Sequence, residues 1–173
     1  MAVENLVLDR LAIIGNVRVY SRRPSFLAVP EQNLAWPFGD WKLECRADNL
    51  VVTAGKVLVA KMLMDESGFD TGLTRIEVGT GTTSPALGDI ALVTATVRKT
   101  IISSPIRTGN VVEYRAFFPA ADITANLRET GIFGHSTAGA GLGSGELFAR
   151  TLITFNNATS PADATIVWTL TFG

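Results

Sequence analysis

The sequence predicts a mainly β protein: an antiparallel β-sandwich with one short helix and an extended N-terminal arm. Segments rich in β-branched and aromatic residues recur between clusters of Gly, Pro, Ser and Asn, which is the pattern of strands and turns. A single stretch after Thr53 carries helical rhythm. Because strand does not alternate with helix, a sandwich is favoured over an α/β enzyme fold. The first 45 or so residues differ in character from all that follows.

In that first segment Pro24, Pro30 and Pro37 remove backbone donors, and Trp36 and Trp41 are large rings that call for a surface to cover. Residues 1–45 therefore read as an arm laid against a partner. Arg22, Arg23, Phe26, Trp36 and Trp41 are its candidate interface residues. The alternative puts Val17, Val19 and Leu43 in ordinary strands of the sandwich itself. Residues 46–173 form the sandwich domain.

Thr53 is placed to cap a helix in which Ala54, Val57, Leu58 and Met62 follow the i, i+3, i+4 rhythm, ending by Gly68. Strands are then predicted over 75–79, 95–103, 111–118, 147–155 and 165–172. In the last, Ile166, Trp168, Leu170 and Phe172 share one face and Thr169 and Thr171 the other, as in a half-buried antiparallel strand. The run from Asn126 to Gly134 places Arg128 and Glu129 before an apolar Gly-Ile-Phe-Gly segment. It reads as a strand edge, with Arg128 and Glu129 either an ion pair fixing that edge or part of an interface. Residues 136–145, rich in glycine, read as a flexible loop that a partner orders.

A chain of 173 residues can bury a real core as one domain. Fifteen Lys and Arg against sixteen Asp and Glu leave almost no net charge, so no global field draws the chain to nucleic acid or an anionic membrane. Charged residues are only 18% of the chain and hydrophobic ones 47%, a balance that predicts partners covering some of the surface. The apolar run from Val57 to Met64 is interrupted by Lys61 and is too short to span a bilayer. The N-terminal residues lack the order of a secretory signal. Cys45, the one cysteine, excludes an internal disulfide and reads as a small core residue suited to a reducing cytoplasm.

No catalytic, cofactor or metal site is predicted. His135 is the only histidine, and its neighbour Ser136 sits in a loop, where adjacent residues rarely share the hydrogen bond a nucleophile needs. The glycines at 139, 141, 143 and 145 precede a strand rather than a helix, so they are no dinucleotide fingerprint. Gly79-Thr80-Gly81 has exposed backbone donors but no following Lys, and reads as a turn leaving a strand. Asp65, Glu66 and Asp70 lack calcium-loop spacing and read as a solvated acidic turn. Asn157-Ala158-Thr159 fits a glycosylation triplet but has no secretory context.

Three segments stand in a telling order: Thr53-Ala54-Gly55 opening a helix, the run from Leu73 to Ala86 with its Val78-Gly79-Thr80-Gly81 turn, and Leu127-Arg128-Glu129-Thr130-Gly131-Ile132-Phe133. Between and after them come Val97-Arg98-Lys99 and Leu147-Phe148-Ala149-Arg150. Over residues 51–173 this series resembles the N-terminal domain of the phage tail-collar fibre family and short phage decoration-type proteins. The resemblance implies a non-enzymatic virion structural protein made in the host bacterial cytoplasm, partnered by other capsid or tail proteins and by copies of itself. With no repetitive shaft in the sequence, a capsid decoration or cement protein is the first expectation and a tail, collar or fibre-attachment protein the second. A carbohydrate-binding sandwich, with Trp36 and Trp41 as stacking platforms, is an alternative from another class.

Overall fold

The computed structural model describes residues 12–22, 41–102 and 105–173. It shows two packed antiparallel sheets of five strands each, with one short helix. The strands are β1 (Ile13–Arg22), β2 (Lys42–Asp48), β3 (Leu50–Val51), β4 (Leu73–Gly79), β5 (Ala95–Thr100), β6 (Ile106–Thr108), β7 (Val111–Phe118), β8 (Leu127–Gly134), β9 (Glu146–Phe155) and β10 (Asp163–Phe172), and the helix α1 is Thr53–Leu63. One sheet runs β2-β1-β10-β7-β6 and the other β3-β9-β8-β4-β5. Among the described residues no helix is long and apolar enough to cross a membrane.

The core lies between the sheets, where alternation along each strand turns one set of side chains inward. Val17, Val19, Ile166, Trp168, Leu170 and Phe118 from the first sheet belong to the same buried cluster as Ile76, Val78, Ile132, Ile153 and Phe155 from the second. A small second cluster of Val52, Phe133 and Leu147, with Ala54 against it, joins α1 to the second sheet.

Part of the predicted arm is sandwich. β1 pairs with β10 from Ile13↔Phe172 to Arg22↔Asp163, and β2 pairs in turn with β1. Val17 and Val19 are fully buried, so the alternative that places them in ordinary strands is the arrangement found. The physical reason is period-two alternation in 13–22 that fits a central strand. Residues 1–11 and 23–40 of the predicted arm lie outside the described residues.

Four further expectations change. Thr53 begins α1 but does not cap it: the cap is Val52, without a side-chain hydrogen bond. The helix buries Gly55 and Leu58, while Val57 and Met62 are exposed. It comes so close to β9 that a Cβ on Gly55 would collide with the Phe148 carbonyl, and this approach decides which face is covered. β10 is buried on both faces at its middle: Val167 is fully buried, and its register partners on the neighbouring strands are Arg18 and Arg115, residues whose long apolar stems are suited to covering such a neighbour. Finally, β8 is no edge. It lies between β9 and β4 in the centre of its sheet.

Candidate functional site

The resembling segments fall on adjacent strands. Leu73–Gly79 is β4, Val97-Arg98-Lys99 lies in β5, Leu127–Gly134 is β8, and Leu147–Arg150 opens β9, so they line up as β9-β8-β4-β5. Alternation sends Ile76, Val78 and Ile132 into the core. The same alternation sends Glu77, Arg98, Glu129 and Arg150 to the opposite face, where all four are buried, each 1% exposed or less.

Buried charges persist only when paired and hydrogen-bonded. Glu129 meets that demand with every lone pair. Its Oε1 accepts the N–H of Gly81 at 3.1 Å and of Thr94 at 2.7 Å, and its Oε2 accepts the N–H of Val93 at 3.1 Å and Arg150 Nη2 at 3.0 Å. The Arg150 guanidinium also reaches Asp89 Oδ2 at 2.5 Å and donates to Thr83 O at 2.6 Å. One ion pair therefore holds the long connection from β4 to β5 at both ends and in its middle. Gly79 and Gly81 are required here, since a Cβ on either would strike Glu129 Oε1. The backbone donors of this turn, expected to be exposed, are in part spent on that carboxylate.

The second pair works the same way on the connection from β8 to β9. Arg98 Nη1 lies 2.5 Å from Glu77 Oε2, its Nη2 donates to Ser144 O at 2.5 Å, and its guanidinium sits 4.4 Å from the Phe133 ring centroid. Gly143 N donates to Glu77 Oε2 at 3.0 Å, and Arg75 Nε donates to Ala138 O at 2.9 Å. The glycine-rich segment, expected to be a flexible loop that a partner orders, is thus moored to the chain's own sheet. Burial pulls Arg98 below the usual arginine range, against the opposing pull of Glu77. Burial by itself would raise the Asp89 carboxyl, but the Ala86 N–H and Arg150 outweigh it and hold the carboxyl below its ordinary value.

The interface residues expected from sequence do not form one patch. Arg22 and Trp41 meet on the first sheet, the guanidinium 5.0 Å from the Trp41 ring centroid, with Phe117 edge-on to that ring at 6.3 Å and Arg22 3.8 Å from Asp163. Arg128 and Glu129 are on the second sheet and are not paired with each other. Arg128 donates to Leu127 O, Phe155 O and Asn156 Oδ1, while Glu129 is fully buried within the chain. Arg23, Phe26 and Trp36 lie outside the described residues.

The remaining candidates have structural partners. His135 Nδ1 engages Thr137 rather than Ser136, and its ring tilts against Phe69 at 4.3 Å. Glu66 turns to Lys61 at 3.2 Å, and among the described residues no three His, Cys, Asp or Glu gather as metal ligands. Asn157 is fully buried, with its amide donating to Ile123 O and Ala162 O and accepting from Ala162 N. Cys45 is half-buried against the core, and burial pushes its thiol up.

Sequence reading missed Glu77, Arg98, Arg150 and Asp89 as one constellation. The available signal was that β4, β5, β8 and β9 each carry charged residues among apolar ones, positions that burial permits only to paired charges, whereas Asp89, in the connection from β4 to β5, offered none. Comparison of the chain with protein-family models, with curated proteins and with solved structures gave no match.

Proposed function

We propose that the chain is a non-enzymatic structural component of a bacteriophage virion, a capsid decoration or cement protein that binds assembled subunits and stabilises the particle. The observation that carries the reading is the placement of the resembling segments. They are not scattered over the surface but supply, on four adjacent strands, all four fully buried charges of the network that moors two long connections. Mooring of that kind gives a rigid outer surface, and rigidity before binding lowers the ordering cost of attachment. Leu87, Ile90 and Val93 stand outward on the first of these connections, each more than half exposed.

The second reading, a tail, collar or fibre-attachment protein, is favoured by the same segments, because the resemblance to the tail-collar fibre family runs through them. In both readings the partners are other virion proteins and further copies of the chain, and synthesis is in the host bacterial cytoplasm. A carbohydrate-binding role is less favoured, since the Arg22 guanidinium occupies a face of the Trp41 ring.

Immunogold electron microscopy of particles released from the host that carries this gene tests the proposal. Label over the capsid is the expected result. Label confined to the collar or tail would move the assignment to the second reading. Purified particles free of the protein by both gold label and mass spectrometry would overturn both.

A further inference from the structure

α1 buries Gly55 and Leu58. At about 3.6 residues per turn, the side of the helix opposite them carries Thr53, Val57, Ala60 and Met64, and all four are exposed. Their spacing, i, i+4, i+7 and i+11, is the one by which a helix meets a second helix along a seam. Leu63, 81% exposed, widens the stripe on one flank, and Met64, 77% exposed, ends it. Leu87 stands at the other end, its carbonyl accepting Thr53 N at 2.9 Å. Ala60, in the middle, is small enough to let another helix axis come close.

The charges near the two ends of the stripe fit one kind of neighbour. Lys56 and Asp65 form no ion pair among the described residues, whereas Lys61 is engaged by Glu66 at 3.2 Å. The first turn of α1 holds no acid, Lys56 follows it, and Asp65 stands just past the C-cap Met64. Each charge therefore lies near the helix end whose dipole disfavours its sign. An antiparallel second copy brings each to the end of the other helix that favours it. With the crossing between Ala60 and Lys61, Val57 of each chain meets Met64 of the other, and Lys56 comes level with Asp65. The face is thus its own complement, as a two-fold interface requires.

We propose that α1 is the contact of a two-fold symmetric dimer, packed antiparallel against α1 of a second copy, with Val57, Ala60 and Met64 as the seam and Lys56 and Asp65 as reciprocal ion pairs. A helix of 11 residues gives a seam only ~16 Å long, at the small end of specific interfaces, so the dimer forms and dissociates with concentration. This surface deepens the attachment reading, which counts further copies of the chain among the partners and on which the dimer's place in a particle rests. A chain that stays monomeric would leave the immunogold result standing, and the reverse also holds.

Sedimentation velocity of the full chain, from micromolar to millimolar, tests the dimer. The expected result is a monomer–dimer equilibrium that Ala60→Glu, a substitution by another good helix former, weakens at least about tenfold with unchanged circular dichroism. Lys56→Asp and Asp65→Lys should each weaken self-association, since each places two like-charge contacts in a dimer. An equimolar mixture of these two variants should regain it, because both ion pairs form again with their signs exchanged. Independently of the charge variants, a Cys45→Ser, Ala60→Cys chain should oxidise to a covalent dimer. A parent that is monomeric at millimolar concentration, a dimer indifferent to Ala60→Glu, or a mixture no stronger than either charge variant alone would overturn the proposal. So would a folded Ala60→Cys chain that dimerises without forming the disulfide, since the interface would then lie elsewhere.

Discussion

At the scale of single residues, Glu129 shows why a buried charge is weak evidence for net stability but strong evidence for fixed geometry. Removing water from a carboxylate costs several kcal/mol, and attraction to Arg150 offsets it only because three backbone N–H groups complete the shell. Glu129→Gln keeps the shape but puts a donor where only donors are waiting, so it should lose about 3–5 kcal/mol in urea unfolding. Arg46→Gln, at an exposed position, should change stability by less than about 0.5 kcal/mol. Comparable small losses for both would mean that water reaches the network. Asp89 adds a pH dependence whose sign is fixed. Its carboxyl lies below the ordinary value of 3.8 in the folded chain, so its contribution is present above that value and is lost as the pH falls through the folded one. The advantage of the parent over Asp89→Asn should be full at neutral pH and close in acid, and a gap that widens on acidification would contradict the assigned direction.

At the scale of elements, the legible ones were those whose local pattern and tertiary role agree. The strand over Val111–Phe118 was readable to the residue, and β9 and β10 nearly so, because β-branched and aromatic residues fill them and turn clusters bound them. β1 was less legible because the Pro and Trp of 23–40 coloured the reading of its neighbours. β8 was misplaced because Arg128, Glu129 and Gly131 look like an edge until Glu129 is seen to be paired with Arg150, Arg128 to be bonded to neighbouring carbonyls, and Gly131 to lie against Leu147 and Leu92. The network itself was not legible, since nothing in one dimension says that Glu77 faces Arg98 or that Glu129 faces Arg150. α1 misled in a different way. Its rhythm favoured Val57 and Met62, but the closest approach to β9 is made at Gly55. Gly55→Ala, although it raises helix propensity, should therefore destabilise by about 1–3 kcal/mol through overpacking against the Phe148 carbonyl. Gly88→Ala, with open space around it, should be close to neutral. A stabilised Gly55→Ala variant in thermal unfolding would show that the helix can lift off the sheet without loss.

At the scale of the whole molecule, the topology ties residues near the two ends of the chain into one sheet. β1 and β10 share a ladder running from Ile13↔Phe172 to Arg22↔Asp163, and β10 carries Trp168 and Leu170 into the core. The first sheet cannot close until β10 is available, and pairing over so long a loop is entropically costly and slow. The same topology sets the outcome of shortening the chain. If residues 1–45 were only an attachment arm, a chain beginning at Arg46 would fold and fail to load onto particles. The structure predicts otherwise, because that deletion removes all of β1 and half of β2, strips one side of β10 of its backbone partners, and takes the buried Val17 and Val19 out of the core. Two lost valines alone account for about 3–6 kcal/mol of apolar burial, a large share of the 5–15 kcal/mol that typically holds a domain together. The chain beginning at Arg46 should therefore be unfolded or aggregated by circular dichroism and size-exclusion chromatography, while the full chain unfolds cooperatively. A soluble, cooperatively folded Arg46 chain would show that β1 is dispensable and would return this stretch to the role of an arm.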